Sequence, residues 1–158
     1  MIDLTKKLVE TWGPSGYEHR IREMIREEVK DLADEIWVDG LGNLICRVGS
    51  GGKKVLVAAH MDEIGLMANY QEPESGYLRF TNIGGLIPNT LHGNRVLFED
   101  GTVGVIGAYS GGGKSLDEFY IDVESAGGEN ATPVGQPAGL MRELQVRGKR
   151  IVAKSLDD

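Results

Sequence analysis

Apolar positions follow a helical period in the first third of the chain and an alternating one through much of the rest. Leu4, Leu8 and Trp12 recur every four residues, which predicts a short helix that Gly13-Pro14 stops. Ser15-Gly16-Tyr17-Glu18 has capping-box spacing, in which a Ser hydroxyl and a Glu carboxylate satisfy orphan N–H groups of a starting helix. In the helix that follows, Ile21, Met24, Ile25, Val29 and Leu32 share one face, with Arg22, Arg26, Glu27 and Lys30 elsewhere. Strands are predicted at 35–39 and 44–48, around Gly40-Leu41-Gly42-Asn43. Beyond the loop 49–52, Lys54-Val55-Leu56-Val57-Ala58-Ala59 is apolar on both faces, the pattern of a strand inside a covered sheet. Together these elements predict part of an α/β layered domain.

From about Ile64 the pattern changes to short β-type runs at 66–70, 77–81, 95–98, 102–108, 119–123 and 143–146. Gly76, Gly84-Gly85, Asp100-Gly101 and Gly148 separate them, and a small barrel or sandwich is expected. Residues 151–153 form a further short strand in this reading, and Gly135-Gln136-Pro137-Ala138-Gly139 is turn chemistry. Gly111-Gly112-Gly113-Lys114-Ser115 imitates the end of a phosphate loop, but Ala108 stands where that motif needs its first Gly. A loop between strands fits it better.

Composition narrows the function classes. The 158 residues suit one domain or two small ones, with 41% hydrophobic and 26% charged residues, so a packed core is expected. A net charge of −7 disfavours nucleic acid or an anionic membrane as partner. No apolar run reaches the length of a membrane span, and Met1-Ile2-Asp3-Leu4-Thr5-Lys6-Lys7 does not resemble a signal peptide. Cys46, the single cysteine, cannot form an internal disulfide, and a cytoplasmic setting is expected.

His60-Met61-Asp62-Glu63 follows the apolar run directly, at the strand end where α/β sheets place their sites. In extended backbone His60 and Asp62 point to one side, the spacing of a metal ligand and the carboxylate that orients it. A His ending a strand, with Asp62 in a turn, would look the same. Asp157-Asp158 is a second candidate, since a carboxylate can bridge two cations, although adjacent terminal acids also suit a solvated tail. Ser15 is accounted for by capping, His19 and His92 by solvated positions, and Cys46 by packing.

Several blocks, taken in order, match one family. They are Trp12-Gly13-Pro14-Ser15-Gly16-Tyr17-Glu18, Asp39-Gly40-Leu41-Gly42-Asn43-Leu44 and Ala58-Ala59-His60-Met61-Asp62-Glu63-Ile64-Gly65. Ile83-Gly84-Gly85, Gly104-Val105-Ile106-Gly107, Phe119-Tyr120-Ile121-Asp122 and Val152-Ala153-Lys154-Ser155-Leu156-Asp157-Asp158 complete the series. The chain resembles the N-terminal half of the tetrahedral aminopeptidases, the glutamyl and deblocking enzymes of metallopeptidase family forty-two. The resemblance implies an α/β catalytic domain of hydrolase-like zinc-peptidase type, interrupted by a small β-barrel dimerisation domain. Its parts would be 1–65, the inserted barrel 66–150, and a return to the catalytic domain at 151–158. It further implies hydrolysis of N-terminal residues from peptides at two divalent ions, zinc or cobalt, in a homo-oligomer assembled through the barrel.

By position, His60 and Asp157 would be metal ligands, Asp157 bridging both ions, and Asp62 the catalytic residue orienting His60. Asp158 matches the family's second acid without an assigned role. Family members run to about twice this length. The catalytic Glu and three further ligands would lie in the other half, so this chain alone is expected to be inactive. The alternative is a non-catalytic dimerisation module that pairs with full-length subunits. A polysaccharide hydrolase is disfavoured, because no pair of carboxylates is placed for that reaction.

Overall fold

The computed structural model describes residues 1–109, 113–123 and 134–153. Two helices open the chain, α1 over Ile2–Glu10 and α2 over His19–Val29. α1 ends before Trp12, which the four-residue spacing had placed on the helix. Thr11 turns extended instead, and Trp12 passes into the interior with 5% of its surface exposed. In α2 most of the predicted apolar face is present, with Ile21 buried and Met24, Ile25 and Val29 half-buried, but the helix ends before Leu32, which is exposed. Strands β1 (Glu35–Val38) and β2 (Leu44–Arg47) pair antiparallel, with Ile36 opposite Cys46. Their turn is held by Asp39, whose carboxylate accepts from Leu41 N at 3.0 Å and Asn43 N at 2.9 Å.

Six strands then close a barrel: β3 (Gly65–Gln71), β4 (Leu78–Ile83), β5 (Arg95–Phe98), β6 (Val103–Ala108), β7 (Phe119–Asp122) and β8 (Pro137–Leu140). Their order is β3-β4-β7-β6-β5-β8, every pair is antiparallel, and β8 returns to β3. Alternation decides the core: Leu66, Ala68, Leu78, Phe80, Val96, Phe98, Ile106, Phe119, Ile121 and Ala138 point inward and are buried. Gly104 shares this interior because a Cβ there would lie 2.3 Å from Ile121 Cγ2. Closure leaves the barrel no unpaired edge. A final hairpin joins β9 (Gln145–Arg147) to β10 (Arg150–Val152), outside the barrel.

The structure differs from three expectations. Residues 137–140, taken as turn chemistry, form the strand that closes the barrel. Pro137 is tolerated as its first residue, where no N–H is required, and its carbonyl accepts from Glu99 N at 3.2 Å. The run at 143–146, expected in the barrel, gives way to β9, which pairs only with β10 among the described strands. Residues 54–59, expected as a buried strand, pair with no described strand. Val55, Leu56 and Val57 are 84%, 89% and 88% exposed, because a strand exists only where a neighbouring ladder takes its backbone groups. Asp157 and Asp158, and most of the segment 151–158, lie outside the described residues. No described helix is long and apolar enough to cross a membrane.

Stability should therefore be concentrated in the barrel. Leu66→Ala, at a fully buried position, is expected to cost about 2–5 kcal/mol. Leu56→Ala should stay within about 0.5 kcal/mol, as surface changes do. Urea unfolding of both variants checks this, and equal effects would contradict it.

Candidate functional site

The site is built where two loops cross. The first, Gly13-Pro14-Ser15, lies between the two helices; the second, 60–63, delivers the chain into β3. They run parallel: Glu63 N donates to Gly13 O at 3.0 Å, and Ser15 N donates to Glu63 O at 3.1 Å. Gly13 N also donates to Glu63 Oε1 at 3.3 Å. Glycines permit the approach. A Cβ on Gly13 would lie 2.6 Å from Ile21 Cγ2, and one on Gly65 would lie 2.7 Å from Ala138 O and 2.9 Å from Pro14 Cβ. Trp12 fastens the first loop to the barrel through Nε1, which donates to Leu97 O at 2.9 Å. Arg20 stacks over the indole at 4.8 Å. His19, expected to be solvated, meets the same indole edge-on and lies 3.5 Å from Glu99 Oε1, though it stays half-exposed.

The second loop carries the predicted pair. His60 Nδ1 lies 3.0 Å from Asp62 Oδ1 and 3.1 Å from Asp62 O. An ionised carboxylate and a carbonyl can only accept, so Nδ1 carries the hydrogen, and in the neutral ring the lone pair sits on Nε2. That is the tautomer that metal binding through Nε2 needs. The Asp62 carboxyl is held below the usual carboxylate range, first by the hydroxyl of Ser15, which donates to Oδ2, and then by His60; partial burial opposes both. The structure thus brings His60 and Asp62 together and adds Ser15 to them.

The capping box is not formed. Helix α2 starts without a side-chain cap, Glu18 turns back to accept from Gly16 N, and Ser15 faces Asp62. The two residues are 47 positions apart, so their contact left no local signal. Asp157 and Asp158 lie outside the described residues, as do Gly111 and Gly112 of the glycine loop. Among the described residues, no three of His, Cys, Asp and Glu gather as a metal cluster.

Comparison with known proteins gives this geometry its context. The family model of M42 glutamyl aminopeptidases matches residues 42–158. The chain belongs to that family. A lysyl aminopeptidase of Pyrococcus furiosus is 39% identical over 156 residues, covering 90% of this chain and 45% of the relative. Among solved structures, a protein of Thermotoga maritima described as an endoglucanase superposes with a TM-score of 0.80 at 30% identity. That match covers 97% of this chain and 49% of the other. The TET1 peptidase of Pyrococcus horikoshii superposes with a TM-score of 0.75 at 37% identity, covering 93% and 48%. The chain therefore spans about half the length of the M42 relatives it matches.

The ionised form of Asp62 contributes stability that is present above the ordinary Asp value of about 3.9 and is lost as pH falls through its lowered folded value. The stability gap between wild type and Asp62→Asn should be widest near neutrality and close as pH falls below about 4. Urea unfolding at a series of pH values measures it; a gap independent of pH would contradict the assignment.

Proposed function

We propose that this chain is the N-terminal part of a dinuclear-metal aminopeptidase that hydrolyses N-terminal residues from peptides, working in the cytoplasm. In this reading residues 1–65 and 151–158 belong to an α/β catalytic domain of zinc-peptidase type, and the barrel within 66–150 is its dimerisation insert. The exposed run Val55-Leu56-Val57 supports it, since those residues have the composition of an interior strand of a sheet completed by the rest of the protein. Homo-oligomerisation through the barrel follows from the same reading. It draws support from the P. horikoshii TET1 peptidase, described as assembling into a tetrahedron or a large octahedral shell.

The observation that carries the proposal is the imidazole of His60 set between two acceptors of Asp62, with its lone pair on Nε2. This donor suits a divalent ion in kind. In number the described residues fall short, because a catalytic zinc is held by about three protein ligands. His60 and Asp157 are the two that this chain contributes, and the remaining ligands and the general base come from the other half. When bound, the two divalent ions supply a water of pKa about 7 and polarise the scissile carbonyl. His60 donates through Nε2. Asp62 keeps the hydrogen on Nδ1, fixes the plane of the ring and raises its basicity as a ligand. The loop pairing at Gly13–Ser15 keeps Asp62 where it can do so.

A second reading, a non-catalytic dimerisation module pairing with full-length subunits, is favoured by one fact: the barrel is closed within this chain, whereas no metal cluster gathers among the described residues. One experiment separates the two. Zn²⁺ or Co²⁺ titrated calorimetrically should show weak binding that His60→Ala abolishes, and the chain alone should release no amino acids from an N-terminally free peptide. Metal binding untouched by His60→Ala would defeat the ligand assignment and leave the module reading. Turnover by the isolated chain would contradict the division of the site between two halves.

A further inference from the structure

Ser15 has lost the role its spacing suggested, since its hydroxyl caps no helix and goes to Asp62 Oδ2, with a longer contact of 3.5 Å to Glu63 O. We propose that Ser15 is a positioning residue for the His60 site: by bonding one oxygen of Asp62 it aims the other at His60 Nδ1 and so keeps the lone pair on Nε2. The use of that lone pair rests on the metal-ligand reading above; the hold on the ring does not.

The argument is torsional. A carboxylate turns freely about its terminal bond, whose preference is broad. Asp62 has its two oxygens divided between two partners, Ser15 at Oδ2 and His60 Nδ1 at 3.0 Å from Oδ1, and two opposed bonds stop the rotation. Without the Ser15 donor, Oδ1 is released and Nδ1 keeps only the slightly longer contact to Asp62 O, at 3.1 Å, of its two acceptors on Asp62. An imidazole in water prefers its hydrogen on Nε2, where it blocks metal binding through that nitrogen. Asp62 is 36% exposed, so water can replace the lost hydrogen bond, but a mobile water cannot supply its direction.

The backbone makes Ser15 a directed donor and a clean one to remove. Its amide is fixed by Glu63 O at 3.1 Å, and Gly13, two residues earlier, is fixed through Glu63 N at 3.0 Å. Neither bond uses the hydroxyl. Truncating the side chain therefore leaves the loop pairing in place and takes away only the contact with Asp62 and the long one to Glu63 O.

The test reads the ring itself. In ¹⁵N-histidine-labelled protein, two-bond ¹⁵N–¹H correlation spectra recorded at a pH well above the ordinary imidazole pKa of about 6.5 report the tautomer of His60. Wild type should show the hydrogen on Nδ1. Ser15→Ala should lower the ratio of Nδ1–H to Nε2–H by about fivefold, the worth of one hydrogen bond. Ser15→Thr, which keeps the hydroxyl, should restore it. Ser15→Cys keeps the volume but donates weakly, so it should follow Ser15→Ala and decides the matter where that variant fails to fold. A wild-type ratio in folded Ser15→Ala or Ser15→Cys overturns the proposal, as does a folded Ser15→Thr that behaves like Ser15→Ala. Zn²⁺ added to wild type should move the His60 Nε2 resonance. If it does not, while the tautomer still depends on Ser15, the ligand reading fails and the hold of Ser15 on the ring stands.

Discussion

A short parallel pairing between two loops organises this molecule, with Gly13-Pro14-Ser15 on one side and Glu63 on the other. Two backbone hydrogen bonds are a small interaction, each worth about 1 kcal/mol net, and neither loop would hold the other by itself. The pairing persists because the closed barrel lies beneath it. Gly65 and Gly139 carry no side chain where Pro14 and Trp12 press in, and the Trp12 indole is bonded to Leu97 O on β5. The barrel strands thus set the position of a loop more than fifty residues earlier in the chain, and that loop sets Asp62.

This division explains how one chain can be closed and packed in one part and bare in another. The barrel closes on itself and buries its own alternating face, with Leu91 and Val123 from the flanking loops completing that core. The segment 54–59 has the composition of an interior strand but no described neighbour, and it keeps its apolar side chains in solvent. His60 stands at the boundary of the two regimes, oriented from the barrel side by Asp62 and half-exposed on the other. That arrangement suits the metal-ligand role proposed for His60 in a chain of the M42 family that spans about half the length of its relatives.

Much of the architecture was legible because alternation and turn residues are local signals. The strands at 95–98 and 103–108 stand almost where their period placed them, and the change of character near Ile64 marks the start of β3. The failures were non-local. Pro137 and Gly139 speak for a turn in isolation and become strand residues because β3 and β5 need a partner between them and Trp12 needs room. Val55-Leu56-Val57 is a strand by composition only, since pairing is a property of the neighbour as much as of the segment. At the site, His60 and Asp62 were visible from two-residue spacing. The role of Ser15 was not legible, because a Ser three residues before a Glu is also how helices begin.

The most direct measurement of the loop pairing is native-state hydrogen exchange at the amides of Ser15 and Glu63, compared with those of the barrel core and of residues 54–59. If the closed barrel holds the pairing, both amides should be protected and open together with core positions such as Ile106. Exchange of Ser15 and Glu63 as fast as the exposed 54–59 segment, while Ile106 stays protected, would show that the barrel does not position the His60 site.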